Sequence, residues 1–108
     1  MGAPPQLTPE ERARALAKAK QSRLVRAGIK SRVKSGELSI TDVLELAKSD
    51  EAVAKMRVLE LVESIAGVGK IRARVLLEKL EISLTRRLQG LGSRQAKALA
   101  QEFISPSP

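Results

Sequence analysis

At 108 residues the chain is long enough for one small domain plus tails. Its 43% hydrophobic content is carried by Leu, Val, Ile and Ala with a single aromatic, Phe103, and its formal charge is +8, which disfavours a base-stacking single-strand platform and favours a polyanionic partner. No Cys or His is present, so disulfides, thiolate nucleophiles and Cys/His zinc sites are excluded; no cofactor or metal is expected, and with no apolar run near ~18 residues and no signal-peptide core the expected location is cytoplasmic.

Residues 1–7, with Pro4 and Pro5, read as a short disordered tail. Thr8-Pro9-Glu10-Glu11 is a helix start: Thr8 caps, Pro9 takes the first helical position and Glu11 closes a capping box. The helix is expected to run to Ser35 and stop at Gly36. Up to Arg23 its one large apolar residue is Leu16, so that half buries little. Val25, Ile29 and Val33, four apart, give the second half a docking stripe. Arg23, Arg26, Lys30, Arg32 and Lys34 lie on its other faces as candidates for further phosphate contacts, opposed by the bland reading of a solvated helix.

Charge is segregated along the chain. Residues 1–35 hold nine Lys/Arg against two acids, residues 36–66 three against seven, and residues 67–108 eight against three. Two basic segments thus flank an acidic one.

Ser39 is expected to cap a second helix whose buried face is Val43, Leu44, Leu46 and Ala47. Ser49-Asp50 is expected to cap a short helical turn over 51–55. The acids Asp42, Glu45, Asp50 and Glu51 read as caps and dipole partners and not as a metal site, because no calcium-loop pattern is present. Lys55-Met56-Arg57 leads into a helix over 58–65, with Leu59, Leu61 and Val62 apolar and Glu60 and Glu63 facing solvent.

The most informative stretch is Ile65-Ala66-Gly67-Val68-Gly69-Lys70-Ile71-Arg72-Ala73-Arg74. A helix end meets a glycine–apolar–glycine turn and a second helix starts at once, expected over 70–80. The glycines allow positive φ, and the amides of Gly69, Lys70 and Ile71 become the first, unpaired donors of the new helix. Such a helix start receives anions, and Lys70, Arg72 and Arg74 stand beside it. The nucleotide-hydrolase phosphate loop needs Gly-Lys-Ser/Thr, but Ile71 follows Lys70 here; the dinucleotide fingerprint lacks its third glycine. The spacing is similar to helix-hairpin-helix and helix-two-turn-helix elements that clamp a nucleic-acid phosphate, against the bland alternative of a turn that only packs.

Residues 81–89 read as a connection containing a helical turn capped by Ser83 or Thr85 and carrying Arg86-Arg87. Gly90-Leu91-Gly92-Ser93-Arg94-Gln95-Ala96-Lys97 then repeats the glycine motif, offering a second turn and helix start, with Ser93 as cap and Arg94 and Lys97 nearby. Residues 104–108 read as a disordered tail. The resulting architecture is all-α: a long basic helix over 8–35, then a compact helical domain over 36–103.

Nearly the whole chain, about residues 5–103, resembles the actinobacterial integration host factor family. The resemblance rests on Leu7-Thr8-Pro9-Glu10-Glu11-Arg12, Lys55-Met56-Arg57-Val58, Gly67-Val68-Gly69-Lys70 and Arg86-Arg87-Leu88-Gln89-Gly90-Leu91-Gly92. It implies that the domain over 36–103 is a helix-two-turn-helix domain. It implies a nucleoid-associated DNA-binding protein that assists phage site-specific integration, with a phage integrase as a further partner. It also implies DNA contacts at Gly67, Val68, Gly69 and Lys70, at Arg86 and Arg87, and at the turn Gly90 to Gly92. Many members carry arginine where this chain has Gln89, which hydrogen-bonds but releases no counterion. A related element occurs in a small-subunit ribosomal protein and in base-excision glycosylases that use an N-terminal Pro; position 2 here is Gly.

Together these readings anticipate a monomeric, non-enzymatic binder of double-stranded DNA that bends or bridges duplexes in the nucleoid. Candidate contacts are Gly67, Val68, Gly69, Lys70, Ile71, Arg72, Arg74, Arg86, Arg87, Gln89, Gly90, Gly92, Ser93, Arg94 and Lys97, with Arg23, Arg26, Lys30, Arg32, Lys34, Lys55 and Arg57 as secondary ones. The alternatives are an RNA-binding or ribosome-associated module with the same clamp, an enzyme, for which general acid–base candidates are few, and a helix bundle that binds only protein.

Overall fold

A computed structural model describes residues 6–103; the two tails expected beyond Leu7 and Phe103 lie largely outside the described residues. Helix α1 spans Pro9–Lys34. The Thr8 hydroxyl accepts the Glu11 N–H at 3.1 Å, and the Thr8 N–H donates to the Glu11 carboxylate at 3.0 Å. These bonds to the ionised form, the Thr8 backbone one foremost, hold the Glu11 carboxyl below its ordinary pKa. At the far end Gly36 takes φ +84° and its N–H returns to the Val33 carbonyl, closing the helix as expected. Only Ile29 and Val33 of α1 are buried, with Val25 packed beside them; Leu16 and Leu24 stay in solvent. The helix therefore docks by its C-terminal half and projects by its N-terminal half. The projection shows in the dimensions, 61 × 31 × 25 Å, and in a radius of gyration of 16.5 Å, against about 13 Å for a compact chain of this length.

Helix α2, Ile40–Leu46, begins with a second capping box between Ser39 and Asp42, whose carboxyl is likewise held low by the Ser39 amide and hydroxyl. Its buried residues are Ile40 and Val43, with Leu44 and Ala47 half-buried; Leu46, expected inside, is exposed at the last turn. Asp50 caps the short α3, Glu51–Ala54, through the amides of Ala52 and Val53. Helix α4, Val58–Glu63, is two residues shorter than expected. Helices α5, Gly69–Lys79, and α6, Ser93–Glu102, complete the fold. No strand element occurs among the described residues.

Packing follows the apolar stripes. Helix α4 lies against α5, α1 against α3, and α2 against α6. One cluster joins all six helices, through Ile29, Val43, Val53, Leu61, Leu77 and Leu99 among others. No polar or charged side chain is buried among the described residues. Glu60 does not simply face solvent: it is half-buried and accepts from Lys30 at 2.9 Å, tying α4 to α1.

The end of α5 is built on an unexpected residue. Glu81 takes φ +57°, with its N–H on the Glu78 carbonyl and the Ile82 N–H on the Leu77 carbonyl at 2.8 Å. This is a Schellman closure with glutamate where glycine is favoured, and the buried Ile82 and Leu77 supply its apolar contact. A left-handed non-glycine residue costs about 1–2 kcal/mol, only part of which the larger chain entropy of glycine returns. Glu81→Gly should therefore stabilise the protein by about 0.5–1 kcal/mol, read as a rise in melting temperature of about 4 °C. A fall would show that the Glu81 side chain itself holds the turn.

Candidate nucleic-acid interface

Between α4 and α5 the chain turns on two glycines, Gly67 at φ +83° and Gly69 at φ +71°. A Cβ built on either meets nothing within 4 Å, so glycine is required here for conformation and not for space. Val68, half-buried, pins the turn to the core. Its N–H returns to the Ile65 carbonyl at 3.1 Å. Ala73 is wholly buried, on the face of α5 turned to the core. No side chain caps α5, and among the described residues the amides of Gly69, Lys70 and Ile71 have no acceptor. The corner thus presents three free N–H groups at the positive end of a helix of 11 residues. Lys70, Arg72 and Arg74 are exposed around it, and none forms an ion pair among the described residues; Arg72 donates through Nη1 to the Gly67 carbonyl at 3.0 Å.

Arg86 and Arg87 are not in a helical turn. Ser83 instead forms a local turn, its hydroxyl accepting the Thr85 N–H at 3.3 Å and bonding the Thr85 hydroxyl, and a single 3-10 turn follows over Leu88–Gly90. Between them lies an antiparallel bridge. The Val58 N–H donates to the Arg86 carbonyl at 2.9 Å, and the Leu88 N–H to the Met56 carbonyl at 2.8 Å. Arg57 and Arg87 are therefore directly opposed. The bonds flank this pair, placing it at the closer of the two antiparallel spacings, with Cα atoms about 4.5 Å apart and both side chains on one face. Arg87 Nη1 also donates to the Lys55 carbonyl at 3.3 Å. The bridge thus brings Arg57 and Arg87 together as an exposed cationic pair, with Lys55 next to them in the chain and paired to Glu51, while Met56, Val58 and Leu88 are buried. Arg86 takes the other side: its Nη1 donates to the Gly90 carbonyl at 3.1 Å, and a Cβ on Gly90 would stand 3.1 Å from Arg86 Cδ. Gln89 is exposed in the same shallow cleft.

The second glycine motif repeats the first in sequence and not in conformation. Positive φ is absent from Gly90 and Gly92. Gly92 at φ −72° is itself the N-cap of α6, and Ser93, expected to cap, is the first helical residue. The Gln95 side chain accepts the Gly92 N–H at 3.2 Å and donates to the Glu81 carbonyl at 3.1 Å, strapping the start of α6 to the end of α5. Ser93, Arg94 and Lys97 share a shallow surface at this helix start.

Of the seven acids of residues 36–66, all but Glu63 are engaged away from the cations at the turns. Glu45 pairs with Lys48, Glu51 with Lys55 and Lys18, Glu60 with Lys30, and Glu37 with Arg32. The Lys55 ammonium, first among its neighbours, holds the Glu51 carboxyl below its usual range. Asp42 and Asp50 serve as caps. Of the secondary candidates, Lys30, Arg32 and Lys55 are therefore already paired, whereas Arg23, Arg26, Lys34 and Arg57 form no ion pair among the described residues. Nothing in the sequence joins Lys55 and Arg57 to Arg87, thirty residues beyond Arg57. Only Met56 and Arg57 lie between the end of α3 at Lys55 and the start of α4 at Val58, too few residues for a period of two to mark the bridge.

Comparison with known proteins agrees with this architecture. Residues 33–103 match the family described as S13-like H2TH domain. The chain is 50% identical to the integration host factor of Mycobacterium tuberculosis (strain ATCC 25618 / H37Rv), over 94% of this chain and 96% of the relative. It is 46% identical to that of Streptomyces coelicolor (strain ATCC BAA-471 / A3(2) / M145), over 94% of each chain. A solved structure described as sIHF bound to an 8-bp palindromic DNA superposes with a TM-score of 0.79 at 41% identity, covering 81% of this chain and 98% of that one. On these grounds the chain belongs to the actinobacterial integration host factor family, built on an S13-like H2TH domain.

Proposed function

We propose that the protein is a non-enzymatic architectural protein that binds double-stranded DNA mainly through its phosphates, with weak sequence preference. The observation that carries this reading is the coincidence of three acceptor-free amides on α5 with exposed Lys70, Arg72 and Arg74 that form no ion pair. Support comes from the DNA-bound relative of the same fold. Gly67, Val68, Gly69, Lys70 and Ile71 receive one phosphate at the corner, with Arg74 on the same helix; Ser93, Arg94 and Lys97, at the start of α6 beside the far end of α5, add a separate basic surface. Lys55, Arg57 and Arg87, beside Gln89 and the Gly90–Gly92 turn, form a second contact, and two such contacts on one chain are the means of bending or bridging duplexes. The exposed half of α1, with Arg23 and Arg26, acts as an additional arm to the domain over 36–103. The protein works as a monomer in the nucleoid and serves as host factor to a phage integrase.

Titration of a short duplex over a salt series tests this reading. Neutralising about five phosphates gives a slope of log K against log salt near −4.5. Lys70→Ala should weaken binding to all sequences alike and make the slope shallower by about 0.9. A slope near zero, or structured RNA displacing the duplex at equal concentration, overturns the assignment.

A further inference from the structure

Two glycines, one on either side of Val68, make a corner that the packing of this one side chain does not fix by itself. Gly67 and Gly69 have no neighbour within 4 Å of a would-be Cβ, and glycine visits both signs of φ with similar ease. Free, the two peptides would sample several orientations, and the amides of Gly69, Lys70 and Ile71 would converge on one point only part of the time. Besides the packing of Val68 and its N–H on the Ile65 carbonyl, one side chain ties this backbone down by a hydrogen bond: Arg72, whose Nη1 donates to the Gly67 carbonyl at 3.0 Å from the first turn of the helix that the corner starts. A charged donor to a carbonyl is among the stronger hydrogen bonds, and a guanidinium is rigid enough to fix the plane it binds.

We propose that Arg72 is a positioning residue: it locks the Gly67 carbonyl and so pre-aims the three α5 amides, instead of meeting the phosphate itself. This rests on the phosphate-binding reading of the corner. Preorganisation of this kind raises affinity without releasing a counterion. A phosphate ligand and a positioning residue therefore differ in salt dependence, and Lys70 provides the comparison within the same turn.

The test uses the full chain, a short duplex DNA, and the variants Arg72→Gln, Arg72→Lys and Lys70→Ala. Arg72→Gln should lose about three- to tenfold in affinity at every salt concentration with the wild-type slope. Arg72→Lys, which keeps the charge and loses the planar fork, should lose a similar factor. Lys70→Ala should instead flatten the slope by about 0.9. In the free protein the NMR amide signals of Gly69, Lys70 and Ile71 should shift or broaden in both Arg72 variants at an unchanged melting temperature. A flatter slope in Arg72→Gln that Arg72→Lys restores makes Arg72 a phosphate ligand and overturns the proposal, as do undisturbed corner amides. If the wild type itself binds duplex without salt dependence, the phosphate-binding reading fails, while the amide signals still decide whether Arg72 holds the corner.

Discussion

Replacing Leu77 by alanine should cost about 3 kcal/mol and lower the melting temperature by about 12–24 °C, whereas Ile71→Ala on the same helix should move stability by less than about 0.5 kcal/mol. The two aliphatic side chains differ in where α5 carries them. Leu77 is wholly buried, within the core cluster shared by α4 and α5, the most extensive helix pair of the fold. Ile71 is 80% exposed in the first turn. Truncating Leu77 removes buried methyl groups and leaves a cavity that the close-packed neighbours fill only in part. Truncating Ile71 gives up little burial, and alanine is a good helix former. Both are read by thermal or urea unfolding of the free protein. Equal losses at the two sites would mean that Ile71 is covered in solution. Duplex affinity of the Ile71 variant should persist, because the proposed phosphate contact involves only the backbone N–H of that residue.

The parts legible in the sequence are those whose determinants are local. Thr8 with Glu11, Ser39 with Asp42, and Asp50 each sit within three residues of the amides they cap, so the helix starts can be read directly. The stop at Gly36 and the corner at Gly67 and Gly69 follow from the one residue type that accepts positive φ cheaply. What escaped was set by distant partners or by strain. The Arg57–Arg87 bridge joins segments thirty residues apart in sequence and is too short to leave a convincing period of two. Glu81 in the left-handed region contradicts its own propensity, and tertiary ties to Gln95 hold its carbonyl. The second glycine motif matched the first in letters, yet Gly92 became the cap because Gln95 reaches back to its amide. Leu46 fell on the wrong side of the burial boundary because α2 ends there, one turn before α3 begins.

Removing the opposed pair by Arg57→Gln with Arg87→Gln should weaken duplex binding about 100-fold near 0.15 M salt and flatten the salt slope by about 1.8, without destabilising the free protein. Arg57 and Arg87 face each other across the bridge with no acid paired to either among the described residues. Like charges directly opposed on a sheet face work against folding. The bridge is held by its backbone bonds, from Val58 to Arg86 and from Leu88 to Met56, and by the buried Met56, Val58 and Leu88. None of these depends on the two guanidinium groups. The side-chain bond that the double variant loses, Arg87 to the Lys55 carbonyl, is long and exposed. Relief of repulsion offsets it, so stability should stay within about 0.5 kcal/mol. Binding should respond in the opposite sense. A phosphate placed between the two groups turns mutual repulsion into two charge-assisted contacts of about 1.5 kcal/mol each, which together give the stated loss. Unfolding and salt-dependent titration of the same variant separate the two effects. A lower melting temperature with an unchanged slope would make the pair a structural device; an unchanged temperature with a flattened slope makes it the second phosphate contact.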